Sequence, residues 1–261
     1  MNISLLGKNA LVGGGSAGIG RAVAIELAQQ GANVTVMART ESALQATIQL
    51  LDNSKGQRHH YVVADYTNSM ALIEGVNRLL ESQEIHVLVN NTGGPPGGPI
   101  LLANENDFLS AYNNHLLCNH LLVKTLVPGM KDGGYGRIIN IISTSVKEPI
   151  EGLGVSNTTR WAVASWAKTL SVELGTFGIT VNNVLPGFTM TARLEEIIEK
   201  RMLIGSVSRE SVETALKAQV PLKRFAAPEE IAAVVAFLAS PAAGYINGIN
   251  LPVDGGRTKS L

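Results

Sequence analysis

Among 261 residues there is one cysteine, Cys118, so no intrachain disulfide can form and the fold must rest on its core. Flanked by Leu116, Leu117, Leu121 and Leu122, that thiol reads as a small buried side chain rather than a nucleophile. Charge of one sign is also lacking, with 21 Lys+Arg against 21 Asp+Glu. Such a balance exerts no long-range pull on nucleic acid or an anionic membrane, so neither is expected as a partner. No apolar run reaches the roughly 18 residues of a membrane span. Residues 1–9 lack the apolar block of a secretion signal, and the expectation is a cytoplasmic protein. Metal ligands are sparse: His59 and His60 have no partners at ligand spacing, Glu148 and Glu151 read as solvated, and no metal site is expected.

What the chain does have is apolar residues, at 45%, and 27 glycines. Short Val/Ile/Leu-rich runs at 9–12, 33–38, 58–64, 85–90, 136–143, 179–185 and 249–253 read as strands buried on both faces. They alternate with helical patterns at 18–30, 41–52, 68–83, 107–130 (with room for a break), 155–175 and 228–239. Residues 190–219 are polar and helical. This alternation predicts an α/β protein, a single Rossmann-type domain over 1–261 whose doubly wound parallel sheet carries helices on both faces. The Gly/Pro run 93–99 directly follows a strand, so it reads as a loop at the sheet's carboxyl edge rather than a linker.

The first strand runs into Gly13-Gly14-Gly15-Ser16-Ala17-Gly18-Ile19-Gly20, and a helix opens at once. Glycines there permit a tight turn and close backbone approach to a pyrophosphate, while the helix N-terminus offers free N–H groups. In that strand–turn–helix context the loop predicts a dinucleotide site. The second strand ends at Ala38-Arg39-Thr40, with no acid for a ribose 2′-hydroxyl and a guanidinium suited to a 2′-phosphate. NADP(H) is therefore expected over NAD(H), which remains possible.

These motifs, in this order, resemble the short-chain dehydrogenase/reductase family over nearly the whole chain, in general look the 3-oxoacyl-acyl-carrier-protein reductases. Gly14, Ser16, Gly18, Ile19 and Gly20 match the family's glycine loop, with Gly13 in its Thr position. Asp65 matches an Asp near the adenine, and Asn90-Asn91-Thr92-Gly93 is similar to the family's Asn-Asn-Ala-Gly. Ser143 ends a strand as the family's catalytic Ser does. Pro186, Gly187, Thr189 and Thr191 lie in a segment similar to the one covering the nicotinamide carboxamide. The resemblance implies cofactor contacts at these residues. It also implies a carbonyl or alcohol substrate, a substrate lid at 190–219, and a homodimer or homotetramer using Trp161, Trp166 and the segment 246–256.

One departure is large. Thirteen residues after Ser143 the family has Tyr-x-x-x-Lys, and here the register reads Ser156-Asn157-Thr158-Thr159-Arg160. A phenol can be tuned toward working pH by a neighbouring cation, whereas an aliphatic hydroxyl is a far weaker acid. Arg160 can hold ribose and charge but cannot shuttle a proton. Counting back along the preceding helix places His115 in the family's Asn position, with Asn114 one residue away. A histidine of ordinary pKa facing the cleft could replace the missing acid, as could Lys147 or water. The candidate catalytic set is Ser143, Ser156, Arg160 and His115. Two readings follow: an NADP(H)-dependent oxidoreductase with a non-standard proton donor, or a non-catalytic NADP(H)-binding sensor or partner subunit.

Overall fold

The computed structural model describes residues 1–260. Seven strands form one sheet: β1 (Asn9–Gly13), β2 (Asn33–Ala38), β3 (His60–Val63), β4 (Val87–Asn90), β5 (Gly136–Ile141), β6 (Ile179–Pro186) and β7 (Asn250–Val253). Their order is β3-β2-β1-β4-β5-β6-β7 and every pairing is parallel. The strands read as continuous apolar runs because both faces are covered. On one face α1 (Gly18–Gln29) and α9 (Pro228–Ala239) pack Val23, Leu27, Ile231 and Val235 onto Val12, Val89 and Ile139. On the other, α3 (Ser69–Leu80), α5 (Cys118–Asp132) and α6 (Gly154–Leu174) set Leu72, Val76, Leu122, Leu126 and Ala167 against Leu11, Leu88 and Ile138. Each Val, Leu or Ile side chain so buried is worth roughly 1.5–3 kcal/mol.

The expected long helix at 107–130 is three pieces. It begins earlier, as α4 (Glu105–Tyr112), because Asn104 and Asp107 cap it reciprocally: Asn104 Oδ1 accepts from Asp107 N–H and Asp107 Oδ2 from Asn104 N–H. A π-turn, Asn113–Leu117, then widens the helix before α5. The helix α2 (Glu41–Ile48) stops short of the expected residue 52, where the Asp52 side chain turns the backbone by accepting from Ser54 N–H. Residues 190–219 hold two helices, α7 (Ala192–Gly205) and α8 (Arg209–Ala218), separated at Ser206, whose φ is 48°. Leu194, Ile198, Val212, Leu216 and Phe225 give this pair its own small core.

An asparagine ladder crosses one half of the sheet. Asn90, Asn140, Asn183 and Asn250 are in register across β4 to β7. The amide of each donates to the next Oδ1, at 2.8, 2.8 and 2.7 Å.

Candidate active site

β1 leads outward to β2 on one side, and β4 pairs with β1 on the other, so a crevice opens at their carboxyl ends, where open α/β sheets hold their ligands. The glycine loop lines it. Gly14 has φ +58°, and a Cβ there would lie 2.6 Å from Asn91 Nδ2. A Cβ on Gly20 would collide with the Gly14 carbonyl, so the loop can close only without side chains. The Asn91 amide donates to Gly13 O at 3.1 Å and pins this shape. Gly18 opens α1 with φ +51° and faces the Thr191 methyl, which brings the segment after β6 to the loop. Gly93 is exposed, with open space where a side chain would be. Ser16 and Ile19 are half-buried on the loop. Such a cradle of bare backbone at a helix start fits a dinucleotide pyrophosphate.

Arg39 stands exposed at the end of β2. Asp65 lies just beyond β3, its carboxyl held below the usual range chiefly by the hydrogen bond from Thr67 N–H, with a smaller pull from Arg39. Asn90, expected beside the cofactor, reaches this edge as the last residue of β4. Its side chain is buried and its amide serves the sheet ladder, while the neighbouring Asn91 touches the glycine loop. Strand alternation explains the difference, since adjacent residues point to opposite faces.

Pro186 ends β6, and Gly187 has no room for a side chain, because a Cβ would lie 2.7 Å from Asp254. Thr189 and Thr191 fold the segment by donating to Gly187 O at 3.1 Å and Thr189 O at 3.3 Å. The loop 93–99 is tied to the stretch before α6 by Gly98 N–H to Gly152 O at 2.7 Å. Arg193 of α7 donates to Pro95 O at 3.0 Å, linking the same loop to the 190–219 segment.

Ser143 follows β5 in extended conformation, and its Oγ accepts from Ser145 N–H at 3.0 Å. Ser156 and Arg160 lie one turn apart on α6. Ser156 is half-buried and makes no hydrogen bond through its hydroxyl to another described residue. Arg160 is buried, donates from Nη1 to Ile141 O at 3.2 Å, and is pulled down to about 10 by burial. It stays charged at neutral pH, with its remaining donors unpaired by described residues.

His115, rather than Asn114, is the π-turn residue buried against the site, at 2% exposure. Its Nδ1 shares a hydrogen bond with Thr92 Oγ1. Its backbone carbonyl accepts from the Asn119 amide at 2.6 Å. Burial first, then the Arg160 charge, lowers its pKa to about 2. The expectation of a near-neutral pKa is thus corrected: the imidazole is neutral at working pH and has no ammonium-like proton to give. Lys147 is half-buried and already engaged. Glu148, read as solvated, instead accepts from Lys259 and Ser260 N–H at 2.7 and 2.8 Å.

Two residues here escaped the sequence. Tyr66 sits half-buried, its hydroxyl enclosed without a partner against Gly13, and Cys118 donates to its carbonyl at 3.1 Å. Burial keeps both groups protonated, raising the Tyr66 phenol and pushing the Cys118 thiol up to about 11. Arg257, from the far end of the chain, reaches Thr144 beside Ser143. Only the missing Thr at position 13 hinted at the first, and nothing local marked the second.

A family model described as Enoyl-(Acyl carrier protein) reductase matches residues 14–258. The NADPH-dependent reductase BacG of Bacillus subtilis is 31% identical over 258 residues, covering 97% of this chain and 99% of its own. The 3-oxoacyl-[acyl-carrier-protein] reductase FabG of Vibrio cholerae is 35% identical, covering 97% and 98%. L-Sorbose reductase from Gluconobacter frateurii, solved with NADPH and L-sorbose, superposes with TM-score 0.94 at 29% identity over 100% of both chains. With glycine cradle, sheet order and Ser143 in place, the chain belongs to the short-chain dehydrogenase/reductase family.

Proposed function

We propose that this protein is an NADP(H)-dependent reductase of a small-molecule carbonyl compound, 3-oxoacyl-reductase-like, working without the usual phenolic proton donor. The observation that carries the reading is the glycine cradle, pinned by Asn91 and faced by Thr191, at the same sheet edge as Ser143. Arg39, in place of an acid at the end of β2, favours the 2′-phosphate form, and relatives named for NADPH support it.

The nicotinamide, when bound, supplies the hydride. Ser143 Oγ holds the carbonyl oxygen as a hydrogen-bond donor. Arg160 offers its free N–H groups to the ribose and to negative charge developing on that oxygen, a charge stabilisation rather than a proton transfer. His115 is neutral, and in this reading water supplies the proton. Losing general acid help costs ~10²–10⁴ in rate, which lowers turnover without forbidding it. Residues 190–219 act as the lid, tethered through Arg193 to the loop 93–99. The reading includes a homodimer or homotetramer, a cytoplasmic setting, and one domain over the chain.

The first test is a fluorescence titration with NADPH and NADH. NADPH should bind at least tenfold more tightly, and Arg39→Ala should erase most of that preference, as expected for a lost charge-assisted contact of about 1.5–3 kcal/mol. Binding of neither nucleotide ends the reading. A second reading, a binding protein without turnover, is favoured by the joint presence of Ser156 and Arg160. Carbonyl-dependent NADPH oxidation that disappears in Arg160→Ala excludes it.

A further inference from the structure

Beyond β7 the chain turns back on itself. Gly255 and Gly256 adopt φ +65° and +83°, which glycine alone takes readily. The Asp254 carboxylate braces the turn, accepting from Gly256 N–H at 3.0 Å and Thr258 N–H at 2.7 Å. Glu148 then fastens the next residues to the loop after Ser143. Between these two anchors Arg257 runs inward.

Its guanidinium stands 4.5 Å from the centre of the Phe188 ring, in the segment 186–191. Nη1 reaches Thr144 Oγ1, the residue after Ser143, at a long 3.4 Å. Burial lowers the Arg257 pKa, and the Asp254 and Glu148 carboxylates offset part of that, with a smaller opposing push from Arg201. Arg257 therefore sits where the loop after β5 and the segment after β6 meet.

That cation is poorly satisfied. Its Nε is buried with no hydrogen bond, and among the described residues it forms no ion pair. The two nearest carboxylates, Asp254 and Glu148, are turned to backbone N–H groups instead. A guanidinium has five donors in a fixed fork, and a half-buried charge with one marginal bond is costly to maintain. Stacking on Phe188 recovers part of that cost and leaves the outer edge of the fork unused. A planar carboxylate matches such a fork, whereas a neutral group does not.

We propose that Arg257 forms an anion subsite that holds a carboxylate of the substrate, so that the carbonyl compound reduced here is an oxo acid. The proposal rests on the reductase reading for the carbonyl and on the C-terminal turn for the acid.

The test uses the full chain with NADPH and a panel of 2-, 3- and 4-oxo acids, each paired with its methyl ester, followed by NADPH oxidation. In parallel, calorimetry measures pentanoate binding to the NADP-loaded protein, which needs no turnover. The parent should favour one acid over its ester by about ten- to a hundredfold in kcat/KM, the range of a charge-assisted hydrogen bond. Arg257→Gln should bring acid and ester to within about threefold of each other, with the ester rate little changed, and should abolish pentanoate binding. Arg257→Lys, which keeps the charge and loses the fork, should fall between, and it decides the matter if the glutamine variant does not fold. Equal use of acids and esters by the parent overturns the proposal, and so does an Arg257→Gln variant that slows both alike, since that marks a purely structural prop for Thr144. If no carbonyl compound oxidises NADPH, the reductase reading falls alone: pentanoate binding that depends on Arg257 still upholds the subsite, and its absence in the parent removes it.

Discussion

Burial, helped by the Arg160 guanidinium, takes His115 from an ordinary value of 6.5 to about 2. The unfolded chain therefore binds one more proton than the folded one between those values. Stability contributed by the neutral imidazole is complete above pH ~6.5 and falls as pH drops below it, by up to about 1.4 kcal/mol per unit. Urea midpoints measured from pH 8 to 4 should decline below about 6.5 in the parent, and His115→Asn should flatten that decline. An unchanged slope in the variant shows that His115 is not buried as described. His86, also lowered by burial, is common to both proteins and cancels. At this scale the sequence was legible where conformation depends on local pattern, as in the turn of the glycine loop and the place of Ser143 just after a strand. It was not legible where a side chain's state depends on distant neighbours. His115 owes its lowered pKa to burial and then to Arg160, 45 positions away, Glu148 meets Lys259, and Arg257 meets Thr144, an environment that only the fold creates.

At the scale of elements, the strands and most helices follow from apolar runs and their spacing, and the misreadings fall at ends and interruptions. The π-turn in the α4–α5 segment has no propensity signal, because it adds one residue without changing composition. The asparagine ladder was invisible for a related reason: each Asn lies within an apolar run and reads alone as a blemish, and only strand register reveals the row. The ladder is directional, every amide donating toward β7, which leaves Asn90 Oδ1 as an unpartnered acceptor at its start. Asn140→Ala removes an acceptor from Asn90 and a donor from Asn183, both buried, and should cost about 2–5 kcal/mol by urea denaturation. Asn250→Ala, at the half-buried edge, should cost about 1 kcal/mol. Equal losses at the two positions contradict a ladder whose value lies in its buried middle.

For the whole molecule, the unused surface is informative. Leu101 and Leu102 are 94% and 80% exposed ahead of α4, and Trp161 is 50% exposed on α6, its indole N–H donating to Ser145 O at 2.9 Å. Ile100 and Trp161 line a common hollow of about 650 Å³. Apolar side chains left so open are suited to burial against a second copy. Light scattering after gel filtration should give a mass at least twice the 27.6 kDa of one chain, and Leu101→Asp with Trp161→Asp should lower it, to a single chain if the parent is a dimer. A parent that runs as a monomer removes the oligomer from the proposed function.

The meeting of Gly13 and Tyr66 bears on the order in which this site could have changed. A methyl group at position 13 would press into the Tyr66 hydroxyl and the Asn91 carbonyl. Thr at 13 and Tyr at 66 are therefore poor company, and a lineage passing from one arrangement to the other travels most easily through a form that is small at both positions. Restoring the family's Thr to this chain by a single substitution requires the Tyr66 hydroxyl to give way, and a smaller residue at 66 removes that demand.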